Sequence, residues 1–156
     1  MTLLRPATAQ DLRAIVMLVE AAYAPWVAVI GRRPGPMDDD YAARIAAGEV
    51  LVAEEGDALA GLLVTEAHPG HLLIDNVAVA PAAQGRGLGA TLLAEAEREA
   101  RRRGLALLRL YTHAKMAANI ARYRRAGFTE VARITEKGFD RIYMEKPLPP
   151  SAPGAA

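Results

Sequence analysis

Apolar residues recur along this chain with two different spacings, and the switches between them outline the elements. Residues 2 to 5 read as a short strand ended by Pro6. Thr8 stands where a helix N-cap would, ahead of Leu12, Ile15, Val16 and Val19 at helical spacing. That helix is predicted to run to about Tyr23, because Pro25 lacks the amide needed to continue it. The stretch "APWVAVIGRRPGPMDDD" holds Pro25, Gly31, Pro34, Gly35 and Pro36 and reads as an irregular loop, with a helical turn around Trp26 to Ile30. Asp38 or Asp39 is predicted to cap a short second helix over "YAARIAA", closed by Gly48.

The spacing then shortens to two. "EVLVAEE" and "ALAGLLVTEA" flank Gly56-Asp57 as two strands of a hairpin, and "HLLIDNVAVA", residues 71 to 80, is a further strand. Helical spacing returns at Leu88, Leu92, Leu93, Ala96 and Ala100, with Glu97–Arg101 and Glu99–Arg103 paired on the outer face and Gly104 at the end. "LALLRLYT" is a strand, residues 116 to 126 form a shorter helix ended by Gly127, and "FTEVARIT" with "DRIYMEKPL" make a last hairpin. The predicted order is βααβββαβαββ, an α/β fold with one mixed central sheet and helices on both faces. Residues 1–147 read as a single domain, and the Pro-rich end, 148–156, as a disordered tail.

Composition narrows the function classes. The apolar share of 52% and charged share of 24% are ordinary for a soluble globular protein. A net charge of +1 gives no reason to expect nucleic acid or an acidic membrane as partner. The chain has no cysteine, which excludes disulfides, thiol catalysis and thiolate metal sites. No signal peptide is expected at the N-terminus, and no apolar run is expected to approach the ~20 residues that span a bilayer. The expected location is cytoplasmic. No second His or carboxylate stands at ligand spacing from any of the three His residues, so no metal site is expected.

The most informative stretch is "NVAVAPAAQGRGLGATLL", residues 76 to 93, where a strand hands over to a helix through Gly85, Gly87 and Gly89. Glycines at such a junction let main-chain amides approach a ligand, and the first turn of a helix favours a phosphate. "QGRGLGA" therefore reads as a pyrophosphate cradle, with Arg86 and Arg101 to Arg103 as further positive charge. The bland alternative is a tight connection with a helix cap, for which one glycine would suffice. A dinucleotide fold is disfavoured. Three residues separate the strand from the first glycine, and the next strand ends "LYTH" with no carboxylate. The G-K-[ST] of a Walker A loop is absent.

Val77, Val79, Pro81, Gln84, Gly85, Gly87 and Gly89 match, position by position, the pattern V-x-V-x-P-x-x-[QR]-G-x-G-x-[GA]. In this the chain resembles the GNAT superfamily of acetyl-CoA-dependent N-acetyltransferases. "NIARYRRAGF" is similar to the family's second motif, and the predicted order of elements is that of the GNAT fold. The resemblance implies that the fourth and fifth strands are parallel neighbours that splay apart. It places acetyl-CoA in that splay as co-substrate, its pantetheine arm on the main chain of Val77, Ala78 and Val79. Its pyrophosphate would lie on Gln84, Gly85, Arg86, Gly87, Leu88, Gly89 and Ala90. Met116 stands where many members carry Asn, and Asn119, on the face of Tyr123, is the substitute candidate for holding the arm.

The resemblance also implies the chemistry: acetyl transfer straight to a primary amine of a small molecule or peptide. Tyr123 is the expected proton donor to the thiolate, a phenol of pKa ~10 facing a leaving group of similar basicity. The alternative is that Tyr123 only packs, in a stripe with Met116 and Ile120. Asp75 is the expected acceptor-binding group or base, with His113 or a water chain as alternatives. By strand alternation Asp75 shares a face with Leu73 and Val77, and Asn76 points the other way. Tyr23 and Trp26 are the acceptor-side aromatics, Trp26 as a lid or as a plug on the core. Asp38, Asp39 and Asp40 read as a helix N-terminus or a cation trap, and His68 and His71 as solvated loop residues. A cofactor-binding sensor without activity is the competing function, longer acyl groups are a further alternative, and the resemblance allows a homodimer.

Overall fold

The computed structural model describes residues 1–150. Seven strands form one sheet in the order β1-β2-β3-β4-β5-β7-β6. They are β1 (Thr2–Pro6), β2 (Val50–Glu55), β3 (Ala58–His68), β4 (His71–Val79), β5 (Leu107–His113), β6 (Thr129–Glu136) and β7 (Phe139–Pro147). The helices are α1 (Leu12–Ile30), α2 (Tyr41–Ala46), α3 (Leu88–Arg102) and α4 (Ala117–Arg125). Along the chain this is βααβββαβαββ, as the spacing predicts.

Alternation along the strands divides the core in two. Val52, Leu62 and Val64 turn to one face and pack under Ile15, Leu18 and Val19 of α1 and Tyr41 of α2. Leu63, Leu72, Ile74, Leu108 and Leu110 turn to the other, under Leu92, Leu93 and Ala96 of α3 and Ile120 of α4. Leu62 and Leu92 retain no exposed surface, so each contributes roughly 2 kcal/mol of burial. The outer face of α3 carries the expected pairs, Glu97–Arg101 at 3.1 Å and Glu99–Arg103 at 2.6 Å.

All neighbouring strands are antiparallel except β4 and β5. Those two pair only where Leu72, Leu73 and Ile74 meet Leu108, Arg109 and Leu110. Beyond that point β4 runs on to Val79 and β5 to His113 without pairing to each other, and the sheet opens into the expected splay. A β-bulge sits at its mouth. Val64 opposes Asn76 and Thr65 opposes Ile74, so Asp75 has no partner on β3. The extra residue shifts the alternation by one. Ile74 and Val77 both pack toward α3, whereas Asp75 and Asn76 both reach α2, where they meet Arg44 and Tyr41. The expectation that Asp75 shares a face with Val77, opposite Asn76, is therefore corrected.

Four other expectations change. α1 does not stop at Tyr23 but continues through Pro25 to Ile30, closed by Gly31 at φ 89°. Proline removes one amide, but Trp26 and Ile30 beyond it pack on Met116 and Phe139, and that burial carries the helix on. The helical stretch is thereby lengthened: residues 9–30 are long and apolar enough, by length and composition, to cross a membrane, contrary to the sequence expectation. In the fold Ile15 and Val19 of that helix are buried on the sheet. Neither Asp38 nor Asp39 caps α2; Asp40 does, its Oδ1 accepting from the Ala43 amide at 3.0 Å. Asp38 pairs with Arg33 and Asp39 with Arg44, each at 3.0 Å. Leu148, assigned to the tail, is buried and its amide donates to the Ala106 carbonyl at 2.8 Å. Of the rest of the expected disordered tail, the Pro149 carbonyl accepts from Arg101 at 2.7 Å, and Ser151 to Ala156 lie outside the described residues.

Candidate active site

Two cavities meet in the splay. The larger, about 600 Å³, runs from the glycine loop along β4 to α4. Its floor is the row Gln84, Gly85, Gly87, Leu88, Gly89 and Ala90. Gly85 and Gly87 have φ of 81° and 82°, a region costly for residues with a Cβ. A Cβ at either would meet no protein atom within 4 Å, so both face open space. The glycines at 85 and 87 are thus demanded by backbone conformation, and Gly89, at an ordinary φ beside Arg122, is not. Among the described residues, none of the main-chain amides from Gly85 to Ala90 has an acceptor. They converge at the start of α3, where the helix dipole adds partial positive charge.

The wall of the cleft is the free edge of β4. The Ala80 amide donates to Ala60 on the β3 side at 2.8 Å. Alternation then turns the N–H and C=O groups of Val77 and Val79 toward the splay, where no strand pairs them. The Val79 carbonyl accepts from Gln84 Nε2 at 3.1 Å, which ties the glycine loop to the strand end. The opposite wall is α4, with Asn119, Arg122 and Arg125, and Ala22, Tyr23 and Trp26 of α1 complete it.

The smaller cavity, about 60 Å³, lies at the inner end, and Tyr23, Val77 and Asn119 line both. Asp75 and Tyr111 stand on one side, Tyr123 and Met116 on another, and His113, Phe139 and Arg141 at the far end. Asp75 Oδ2 accepts from Arg44 at 3.1 Å and Oδ1 from the Tyr111 hydroxyl at 3.4 Å. Burial pushes the Asp75 carboxyl above the usual range, and Arg44 opposes that rise. Arg44 is itself ringed by Asp39, Glu49 and Glu66, the last at 2.6 Å. Burial also raises the Tyr123 phenol, and Tyr111 to about 12, so both stay protonated at neutral pH. Among the described residues the Tyr123 hydroxyl has no hydrogen-bond partner, while its ring packs edge-on against Phe128. Burial lowers the His113 imidazole, whose Nδ1 accepts the Lys115 amide at 3.1 Å. Behind this cavity Tyr23 donates to Asn76 Oδ1 at 2.5 Å, Asn76 to the Tyr41 hydroxyl at 3.0 Å, and Tyr41 to the Pro36 carbonyl at 2.6 Å.

With this geometry established, the chain can be set against known proteins. The model of the "Acetyltransferase (GNAT) family" matches residues 15–128. The chain belongs to the GNAT family of acetyltransferases. It is 36% identical over 90 residues to an IAA acetyltransferase of Azospirillum brasilense, a match covering 56% of this chain and 59% of that one. The matches to curated relatives span 26% to 59% of those proteins' own lengths. The fold superimposes on a ribosomal-protein-alanine N-acetyltransferase from Brucella melitensis with a TM-score of 0.73 at 30% identity, covering 94% of this chain and 99% of that one. A Salmonella typhimurium protein solved with its cofactor acetyl-CoA gives a TM-score of 0.73 at 26% identity, covering 100% of this chain and 99% of that one.

Within this GNAT domain the residues singled out from sequence fall into three groups. Val77 to Val79, Gln84, Gly85, Gly87 to Ala90 and Asn119 line the long cleft, and Asp75, Tyr123, Tyr23 and His113 line the inner cavity. Others stand apart from their expected places. Trp26 lines the cleft and packs behind Ile30, Met116 and Phe139, which line the inner cavity where Trp26 itself does not. The Arg86 side chain turns from the cleft to Glu55 at 2.8 Å, leaving only its amide there. Arg101, Arg102 and Arg103 pair with glutamates at the far end of α3. The positive charge in the cleft comes from Arg122 and Arg125, whose spacing of three on α4 was the available signal. His68 and His71 are strand-end residues stacked at 4.9 Å, with His68 on Glu66 at 2.8 Å. Sequence reasoning also passed over Tyr111, Phe139 and Arg141, and no local motif marks them.

Proposed function

We propose that this GNAT protein transfers an acetyl group from acetyl-CoA directly to a primary amine of a small molecule or peptide. The observation that carries this is the row of unpartnered amides from Gly85 to Ala90, continuous with the free edge of β4 and ending at Asp75 and Tyr123. The residues fit the cofactor. The loop amides and the start of α3 suit a pyrophosphate, and Arg122 and Arg125 supply charge for further phosphate. The main-chain groups of Val77 and Val79 suit the amides of an extended arm. When bound, acetyl-CoA supplies an activated acetyl thioester.

The chain's own groups then divide the work. Asp75 holds the amine and takes its proton, and its raised pKa brings it nearer the basicity of its target. The nitrogen lone pair forms the new N–C bond as the C–S bond breaks, and Tyr123 gives the thiolate its proton. Arg44 and Tyr111 fix the Asp75 carboxylate so that its orientation survives the loss and gain of charge. Tyr23, anchored through Asn76 and Tyr41, closes the junction of the two cavities. The test is calorimetric titration with acetyl-CoA, followed by a primary-amine panel scored by free-thiol release. Binding together with amine-dependent thiol release is expected. Binding without release from any amine would overturn the transferase reading.

A further inference from the structure

The inner cavity carries charge of both signs, and the reaction uses only one of them. Arg141, from β7, has a side chain only 14% exposed, and it lines that cavity. Its Nη1 donates to Glu136 at 2.9 Å, on the same oxygen that receives the Tyr143 hydroxyl. The guanidinium lies 4.5 Å over the Tyr111 ring and 5.4 Å from that of Phe139. Among the described residues its Nε and Nη2 meet no protein acceptor within hydrogen-bond geometry, and neither is fully buried. Nη2 also lies 3.8 Å from the point where a Cβ on Gly35 would stand, so that position contributes no side chain to screen it. Donors that reach solvent in this aromatic setting can exchange water for the oxygens of a ligand. Its planar fork matches a carboxylate.

Position gives this charge a partner. Tyr111 spans the cavity, its hydroxyl on Asp75 and its ring beneath Arg141. The carboxylate and the guanidinium therefore stand about one phenol side chain apart. Asp75 lies two residues from Val77 at the end shared with the cleft, whereas Arg141, Phe139 and Gly35 line only the inner cavity. An acceptor with its amine at Asp75, facing the thioester, would hold its other end against Arg141. We propose that the acceptor is a small amino acid-type molecule carrying a free carboxylate, with its amine on Asp75 and its carboxylate on the Nε–Nη2 edge of Arg141. This rests on the transferase reading and adds the substrate class. The bonds made and broken are those already given; Arg141 binds and orients, and exchanges no proton.

The test compares matched pairs on the wild-type protein: amino acids from glycine to 6-aminohexanoate, each against its own amide, scored by thiol release from acetyl-CoA. For the best acid in the series, kcat/KM exceeds that of its amide by roughly 10- to 100-fold, the range of one charge-assisted contact, and the difference lies in KM. Arg141→Gln raises KM for that acid until acid and amide come level, and Arg141→Lys recovers part of the gap. Unchanged acetyl-CoA affinity in each variant shows that the fold survives. If a variant loses that affinity, the wild-type ratio decides alone. Acid and amide turned over equally by the wild type would overturn the proposal and leave the transferase reading standing. Thiol release from no amine at all would bring down both.

Discussion

The cleft and the inner cavity are neighbours built from different materials. The cleft presents main chain: the loop amides from Gly85 to Ala90 and the unpaired edge of β4. The cavity presents side chains from β4, β5, β7, α1, α4 and the loop after α1. Main-chain groups are the same whatever the residue, so a surface made of them holds one invariant ligand and depends on a few glycines. Side-chain groups are particular to each position, so a surface made of them selects. On the proposed reading, one protein thereby joins a donor site made of main chain to an acceptor site made of side chains.

The sharpest way to break this division is to attack the main chain. Gly87→Val places a β-branched residue at positive φ and a side chain in the cradle, so acetyl-CoA affinity falls by at least about 100-fold in calorimetry. Tyr123→Phe should separate the two sites: kcat falls by roughly 100-fold while acetyl-CoA affinity holds. A Phe variant at full rate would remove Tyr123 from the mechanism. Charge near Asp75 gives a finer test. Its base form is required, so kcat/KM drops as pH falls through the raised Asp75 pKa. Arg44 holds that pKa down, and Asp39 and Glu66 push it up. Arg44→Gln therefore moves the acid limb of the profile to higher pH, and an unmoved limb would exclude Asp75 as the base. The mildest contrast compares two arginines. Arg122→Ala weakens acetyl-CoA binding by roughly 3- to 10-fold, the scale of one exposed charge contact, and Arg86→Ala by less than about 2-fold.

The same division explains what could be read beforehand. The glycine loop, its strand and its helix are consecutive residues, so their function is written as a local pattern. Arg141 and Phe139 of β7 meet Tyr111 only when β7 inserts beside β5, and nothing in their surrounding sequence marks that event. The shift at Asp75 was hidden for a related reason. A bulge depends on register with β3, and alternation within β4 alone carries no trace of it. Pro25 misled in the opposite direction. The local rule says stop, but contacts of Trp26 and Ile30 with residues from 116 and 139 carry the helix past it. Arg86 looked like a phosphate ligand from its place in the loop, and Glu55 on a distant strand claims its side chain.

The parted strands have a further consequence for the protein's behaviour in a crowded solution. An unpaired strand edge is an invitation to self-association, and sheets generally protect such edges at their rims. Here the open edge lies in the middle of the sheet, walled by α1 and α4. A slender chain suits that slot, whereas a strand held in a second folded copy would meet α1 and α4 first. The molecule thus offers an unpaired strand edge to a thin ligand while α1 and α4 stand between that edge and a bulky one.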